Sequence, residues 1–215
     1  DLSQGITVFA NYRNRNPYDR NEDGFTEIAR LNNIGIGARA FQKVGKQGML
    51  NLELHTLNEY RRGGDLLHLA PNEANIAEEL NSEVYGGSVS FDWISKNQKN
   101  KTSVYSGLQS TQIDNYYGGG QDENGFGFTS DFSTMSGVQF TNNSKNIIAG
   151  KGEFLAGAEY RTGNMMDEKP GYNLQVDQAV QTAGAFAQYN WKLNGNWIIN
   201  GGVRYDWFNL NNASN

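Results

Sequence analysis

The stretch Trp197-Ile198-Ile199-Asn200-Gly201-Gly202-Val203-Arg204-Tyr205-Asp206-Trp207-Phe208 decides the fold class. Odd positions collect Trp197, Ile199, Gly201, Val203, Tyr205 and Trp207, whereas even positions collect Ile198, Asn200, Gly202, Arg204, Asp206 and Phe208. One face is apolar and aromatic and the other largely polar, the period of two that marks a strand. The alternation also runs longer than the five or six residues usual for strands of soluble proteins.

Working outward, the pattern recurs. Ile6, Val8, Ala10 and Tyr12 oppose Thr7, Phe9, Asn11 and Arg13; Ile34, Ile36, Ala38 and Ala40 oppose Gly35, Gly37, Arg39 and Phe41. Leu50, Leu52 and Leu54 oppose Asn51, Glu53 and His55, and residues 85–93 set Tyr85, Val89, Phe91 and Trp93 against Ser88, Ser90 and Asp92. Weaker versions at 102–113, 131–141, 153–162 and 181–192 bring the expected total to nine strands. Short links near 44–47, 96–100, 142–151 and 193–196 alternate with long ones at 14–30, 61–81, 114–129 and 163–179. An up-and-down antiparallel sheet with that spacing has its tight turns on one edge and its long loops on the other.

Composition agrees once the apolar face is allowed to meet lipid. The chain has 215 residues, a mean hydropathy of -0.67, 37% hydrophobic residues and 26 Gly. A soluble core usually needs roughly 45–50% apolar residues. No stretch has the roughly 18 consecutive apolar residues of a membrane helix. A transmembrane barrel needs neither, because half of each strand faces water. Trp93, Trp191 and Trp197 all lie beside short links, as an interfacial tryptophan belt requires. The competing reading is a soluble β-sandwich with those tryptophans capping its core. Zero Cys excludes disulfides and thiolate chemistry, and a net charge of -5 without a basic run excludes a nucleic-acid footprint.

Bacterial single-chain barrels have an even number of strands. An odd count, with a polar ending at Asn211-Asn212-Ala213-Ser214-Asn215, leads to the expectation that residues 1–215 are a partial β-barrel domain, a slice of a larger wall. Gly35, Gly37, Gly86 and Gly202 on its polar face are expected to leave room inside.

The segment Gly184-Ala185-Phe186-Ala187-Gln188-Tyr189-Asn190-Trp191-Lys192-Leu193, with Trp197 and Gly201-Gly202-Val203-Arg204-Tyr205-Asp206, resembles the barrel of TonB-dependent outer-membrane receptors. Pro17 to Glu27, Asn58-Glu59-Tyr60-Arg61-Arg62-Gly63-Gly64 and Tyr116-Tyr117-Gly118-Gly119-Gly120 look like the cobalamin- and haem-receptor-like branch found in Bacteroidetes. The resemblance implies a 22-stranded barrel around a plug, with plug and remaining strands lying outside this sequence. It implies the bacterial outer membrane and energised uptake of a scarce bulky nutrient such as cobalamin, haem or a ferric siderophore. The implied partners are outer-membrane lipid including lipopolysaccharide, a TonB-type energising complex acting through the plug, the nutrient, and a surface lipoprotein. A passive porin-like or adhesin barrel is the alternative within the membrane.

Asp19-x-Asn21-x-Asp23-Gly24-x-x-Glu27 places oxygen ligands at alternate positions with Gly at the sixth, and Phe25 would give a carbonyl, as a calcium loop does. Its twelfth position is Arg30, so it is not an EF-hand; the plain alternative is an acidic loop tip held by Asx turns. His68, in the second long loop, invites a haem-ligand role, although one His without a partner is weak. Tyr18, Phe25, Tyr116, Tyr117, Phe126, Phe128 and Tyr172 are expected in loops as an aromatic recognition surface. Arg61 and Arg62 are expected beside them to pair with a carboxylate or phosphate of the ligand. Pro71 to Leu80 reads as a short loop helix. Arg39, Glu53, Asp92, Glu159, Arg161, Arg204 and Asp206 interleave opposite charges on the polar face, which reads as salt bridging rather than acid–base catalysis. No enzymatic constellation is present.

Overall fold

A computed structural model describes residues 2–143, 151–194 and 197–214. Nine antiparallel strands form one sheet in sequence order. They are β1 (Gln4–Arg15), β2 (Thr26–Val44), β3 (Gly48–Gly64), β4 (Ile76–Ile94), β5 (Asn100–Gly119), β6 (Phe126–Asn142), β7 (Lys151–Lys169), β8 (Leu174–Asn194) and β9 (Trp197–Ser214). The sandwich reading is set aside: among the described residues no second sheet covers either face. Among the described residues only five apolar side chains are buried, while Ile6, Val8, Leu54, Leu108, Val203 and Tyr205 are each more than half exposed. The apolar face is therefore built for a surrounding medium rather than for a core.

The strands outrun the sequence pattern. The expected long loops 114–129 and 163–179 shrink to 120–125 and 170–173, and the other two to 16–25 and 65–75. Beyond the apolar band polar and apolar residues no longer alternate, so the period-two signal disappears, yet the backbone ladder continues, with Tyr116 opposite Phe126 and Met166 opposite Ser130. Tyr116, Tyr117, Arg61, Arg62, Phe126 and Phe128 accordingly sit on strands. The helix expected over Pro71–Leu80 is a single 3-10 turn, Pro71–Glu73, because Ile76 onward pairs with β5.

Register shows how the sheet would curve into a barrel. Partners of Ile6 run level through Ala40, Leu52, Val89, Ser106, Ser136, Tyr160 and Ala183 to Trp207. The upper aromatic edge of the apolar band, however, passes from Tyr12 on β1 to Trp207 on β9, a drop of six residues in eight strand steps. The lower edge passes from Trp93, level with Val203, to Trp197, a drop of six residues in five steps. The band thus descends by about one residue per strand. A rise of about 3.3 Å for each strand spacing of about 4.8 Å gives a tilt of roughly 35°, within the range of closed barrels. Allowing for that tilt, Trp93, Trp191 and Trp197 share one height.

On the opposite, inner face, glycines are filled from the next strand. Asn11, Phe9 and His55 occupy the places that side chains at Gly35, Gly37 and Gly86 would take, which corrects the expectation that these glycines leave open space; only Gly202 is relatively clear. Tyr105 lies over Gly137, where a Cβ would come within 2.6 Å of its ring, and Phe186 lies over Gly157 at 2.5 Å. Each aromatic ring covers backbone that glycine would otherwise leave bare. Gly137→Val should displace Tyr105 and destabilise the folded protein by about 1–3 kcal/mol, whereas Gly163→Ala, whose Cβ meets nothing within 4 Å, should be neutral. The temperature at which the protein loses its compact electrophoretic mobility in detergent checks both.

Candidate functional site

The loop end of the sheet holds most of the residues expected to bind ligand, and strand geometry separates them. Adjacent strand residues point to opposite faces, so Arg61 parts from Arg62 and Tyr116 from Tyr117. Arg62 is 1% exposed and stands opposite Glu79, its Nε 3.5 Å from that carboxylate. Glu79 also accepts the Tyr60 hydroxyl at 2.9 Å. Tyr116, likewise 1% exposed, follows Glu79 in the register, packs with Ala74, Ala77 and Leu66, and sets its ring edge against Phe126 at 4.9 Å. Its hydroxyl donates to the Asp122 carbonyl at 2.7 Å, and burial raises the phenol above its ordinary pKa. Arg62 and Tyr116 are therefore structural anchors, not ligand-facing groups. Arg61 and Tyr117 face the inner side and stay exposed, Arg61 at 3.5 Å from Glu59 and Tyr117 beneath the Lys169 ammonium at 5.6 Å.

Three loops are bonded into one crown above them. Asp65 accepts the Ile76 N–H at 3.0 Å and the Asn75 amide at 2.8 Å; the Gly120 N–H donates to the Asn75 carbonyl at 2.6 Å. Asp122 caps the turn Glu123–Gly125 by accepting the Asn124 N–H at 2.8 Å, and it accepts the Tyr172 hydroxyl from the next loop at 2.6 Å. The Tyr172 hydroxyl is the main cause that holds the Asp122 carboxyl below its ordinary pKa, and the Ile76 N–H does the same for Asp65. His68 is exposed in the second of the four loops.

Loop 16–25 stands apart from the crown. Asp19, Asn21, Asp23 and Phe25 lie in it, while Glu27 falls on β2. Asp19 accepts the Gly24 N–H at 2.8 Å, Asp23 accepts the Phe25 N–H and the Asn21 amide at 2.9 Å each, and Glu27 accepts the Arg20 N–H at 2.7 Å. These are the local turns that fold an Asx-rich tip. The second Asp19 oxygen, Oδ1, is buried without a hydrogen-bond partner. Among the described residues no three His, Cys, Asp or Glu side chains gather around a metal-sized space.

At mid-height on the inner face, Glu159 gathers donors from three strands. It accepts Tyr105 of β5 at 2.8 Å, Arg204 of β9 at 2.9 Å and Arg161 of its own strand at 3.2 Å. Arg204 further pairs with Asp206 at 2.8 Å and lies 5.6 Å from the Phe186 ring. The row Tyr105, Gly137, Glu159, Gly184, Asp206 explains the reach: glycines on the two intervening strands let long side chains lie flat across them. Arg39 and Glu53 form a second pair at 2.8 Å, and Asp92 holds Lys101 at 3.2 Å. With every carboxylate of this set engaged by a cation, the wall is salt-bridged. Sequence reading named the charges but missed Tyr105, since only register brings it to Glu159. It also missed the Asp122–Tyr172 bond, for which the Asx pattern Asp122-Glu123-Asn124-Gly125 is a partial signal.

A tilted, single-layer antiparallel sheet with an apolar aromatic-edged outer band, a salt-bridged inner face and a bonded loop crown is the wall of an outer-membrane β-barrel. The family described as TonB dependent receptor-like, beta-barrel matches residues 3–215, and the chain belongs to it. It is thus part of a bacterial outer-membrane receptor and transporter, not an enzyme. No curated protein matches the chain.

The crown should loosen in acid. Asp122 and Asp65 have folded pKa values depressed below the unfolded ones, so their contribution is complete near neutrality and is lost as pH falls through the lowered values. Hydrogen-exchange protection of the Asn124 and Ile76 amides, relative to their intrinsic rates at each pH, should fall together on acidification, and Tyr172→Phe should lower that of Asn124 alone.

Proposed function

We propose that this chain is the loop-bearing wall of a receptor for energised, TonB-dependent uptake of a scarce bulky nutrient, of the cobalamin, haem or ferric-siderophore class. The observation that carries the reading is the long, loop-side extension of the strands. β4 continues nine residues beyond Tyr85, the aromatic edge of the band, and its loop is bonded into the crown. A passive pore needs no such tall rim. Arg61, Tyr117 and His68, exposed at that end, are the proposed ligand contacts, with a surface lipoprotein as a partner on the crown. The free edges of β1 and β9 leave backbone groups that lipid cannot satisfy. Further strands of the same barrel, enclosing a plug, are proposed to close it.

Cells carrying the full-length receptor should grow on one of cobalamin, haem or a ferric siderophore as limiting nutrient, and lose that growth when the TonB complex is deleted. Growth indifferent to TonB would show a passive barrel instead. Arg61→Gln with Tyr117→Ala should weaken binding of that nutrient roughly tenfold or more.

Loop 16–25 is proposed as a calcium loop, a reading supported by the oxygen spacing and by the unpartnered Asp19 Oδ1. Calorimetry on the full-length receptor should show calcium binding that disappears in Asp19→Ala/Asp23→Ala; unchanged binding would sink the assignment.

A further inference from the structure

Charge is sorted along the strand direction. Of the eight described lysines, Lys43, Lys46, Lys96, Lys99, Lys101, Lys151 and Lys192 lie at the short-turn ends, and only Lys169 at the loop end. Among the described residues those seven share that end with just two carboxylates, Asp92 and Glu153. Apart from the six ion-paired groups at mid-height, the loop end carries seventeen carboxylates against seven cations. The short-turn rim is strongly basic, the middle balanced and the crown strongly acidic.

Position gives the rim a partner. Lys43, Lys46, Lys96, Lys99, Lys101 and Lys192 are exposed, and among the described residues only Lys101 has an ion pair, with Asp92. Lys96 and Lys99, in the turn after β4, follow Trp93 by three and six residues, and Lys46 lies in the turn between β2 and β3. Lys43, Lys101 and Lys192 hold inner-face positions in the register, so the three turn lysines are the ones that flank lipid. Trp93 and Trp191 belong to the tryptophan belt, and indoles of such belts settle at headgroup level. Three residues of extended chain span roughly 10 Å, about one Debye length in physiological salt. Lysine ammonium groups on flexible stems reach back from there to the phosphate layer. Turn lysines recur at separate places along the rim, Lys46 between β2 and β3 and Lys96 with Lys99 between β4 and β5. Unpaired cations repeated along the rim match a sheet of anionic groups better than a single ligand.

We infer that this basic rim binds the phosphates of anionic phospholipids in the periplasmic leaflet of the outer membrane, gathering them around the barrel. The inference rests on the family's orientation, with short turns in the periplasm, and is independent of which nutrient is carried. The acidic crown repels the same lipids from the opposite side.

The full-length receptor, reconstituted in nanodiscs of phosphatidylethanolamine with a minor share of phosphatidylglycerol, is re-extracted in mild detergent and its retained lipid counted. The wild type should retain phosphatidylglycerol enriched roughly fivefold over the bulk ratio, and high salt should abolish the enrichment. Lys46→Gln/Lys96→Gln/Lys99→Gln should bring it close to the bulk ratio, the corresponding triple Arg variant should keep it, and Lys169→Gln should leave it unchanged. Compact electrophoretic mobility confirms that each variant is folded, and the salt arm tests the wild type without any substitution. Equal retention in the wild type and the triple Gln variant would overturn the inference. So would displacement of the lipid by excess inorganic phosphate at constant ionic strength, which would mark a free-anion site.

Discussion

Backbone pairing within one sheet is the constraint on which everything else depends. A strand surrounded by lipid has no water to satisfy its N–H and C=O groups, so each of the nine strands bonds its neighbours in sequence order. Packing against a second layer, the usual source of stability in β proteins, is missing among the described residues, and only five apolar residues are buried. The ladder fixes the fold, and the side chains decide which medium each face meets.

Register then converts a repetitive pattern into a particular surface. The drop of the aromatic edge by about one residue per strand tilts the sheet, and the same tilt brings three tryptophans distant in sequence to one level. On the inner face the register places glycine beside aromatic or charged partners, Gly137 under Tyr105 and Gly184 beside Asp206 and Arg204. That arrangement lets Glu159 collect donors from β5, β7 and β9, tying together strands that do not touch through their backbones. Such ties hold a wall whose inner surface is hydrated.

The crown works differently. Its cohesion comes from a few carboxylates that accept backbone and hydroxyl donors across loop boundaries, Asp65 to Ile76 and Asp122 to Tyr172. Arg62 and Tyr116 brace it from beneath, in one row with Glu79. Loop 16–25 is folded by its own Asx contacts, and none of the hydrogen bonds described for it reaches those braces. The receptor end therefore consists of one bonded platform and one autonomous loop.

Alternation of apolar and polar residues from Ile6 to Phe208, together with alternating connection lengths, was enough to determine a nine-stranded up-and-down barrel wall, because side-chain period and turn length are local properties. The tryptophan belt and the salt-bridged inner face were legible for the same reason. Where polar and apolar residues cease to alternate the local signal vanishes, so the extension of β5 to Gly119 and of β7 to Lys169 was decided only by pairing with a neighbour. Pairing also decided the fate of adjacent residues that had looked like joint ligands. A strand sends Arg61 and Arg62, or Tyr116 and Tyr117, to opposite faces, so one of each pair is built into the platform and the other stays exposed on the inner face.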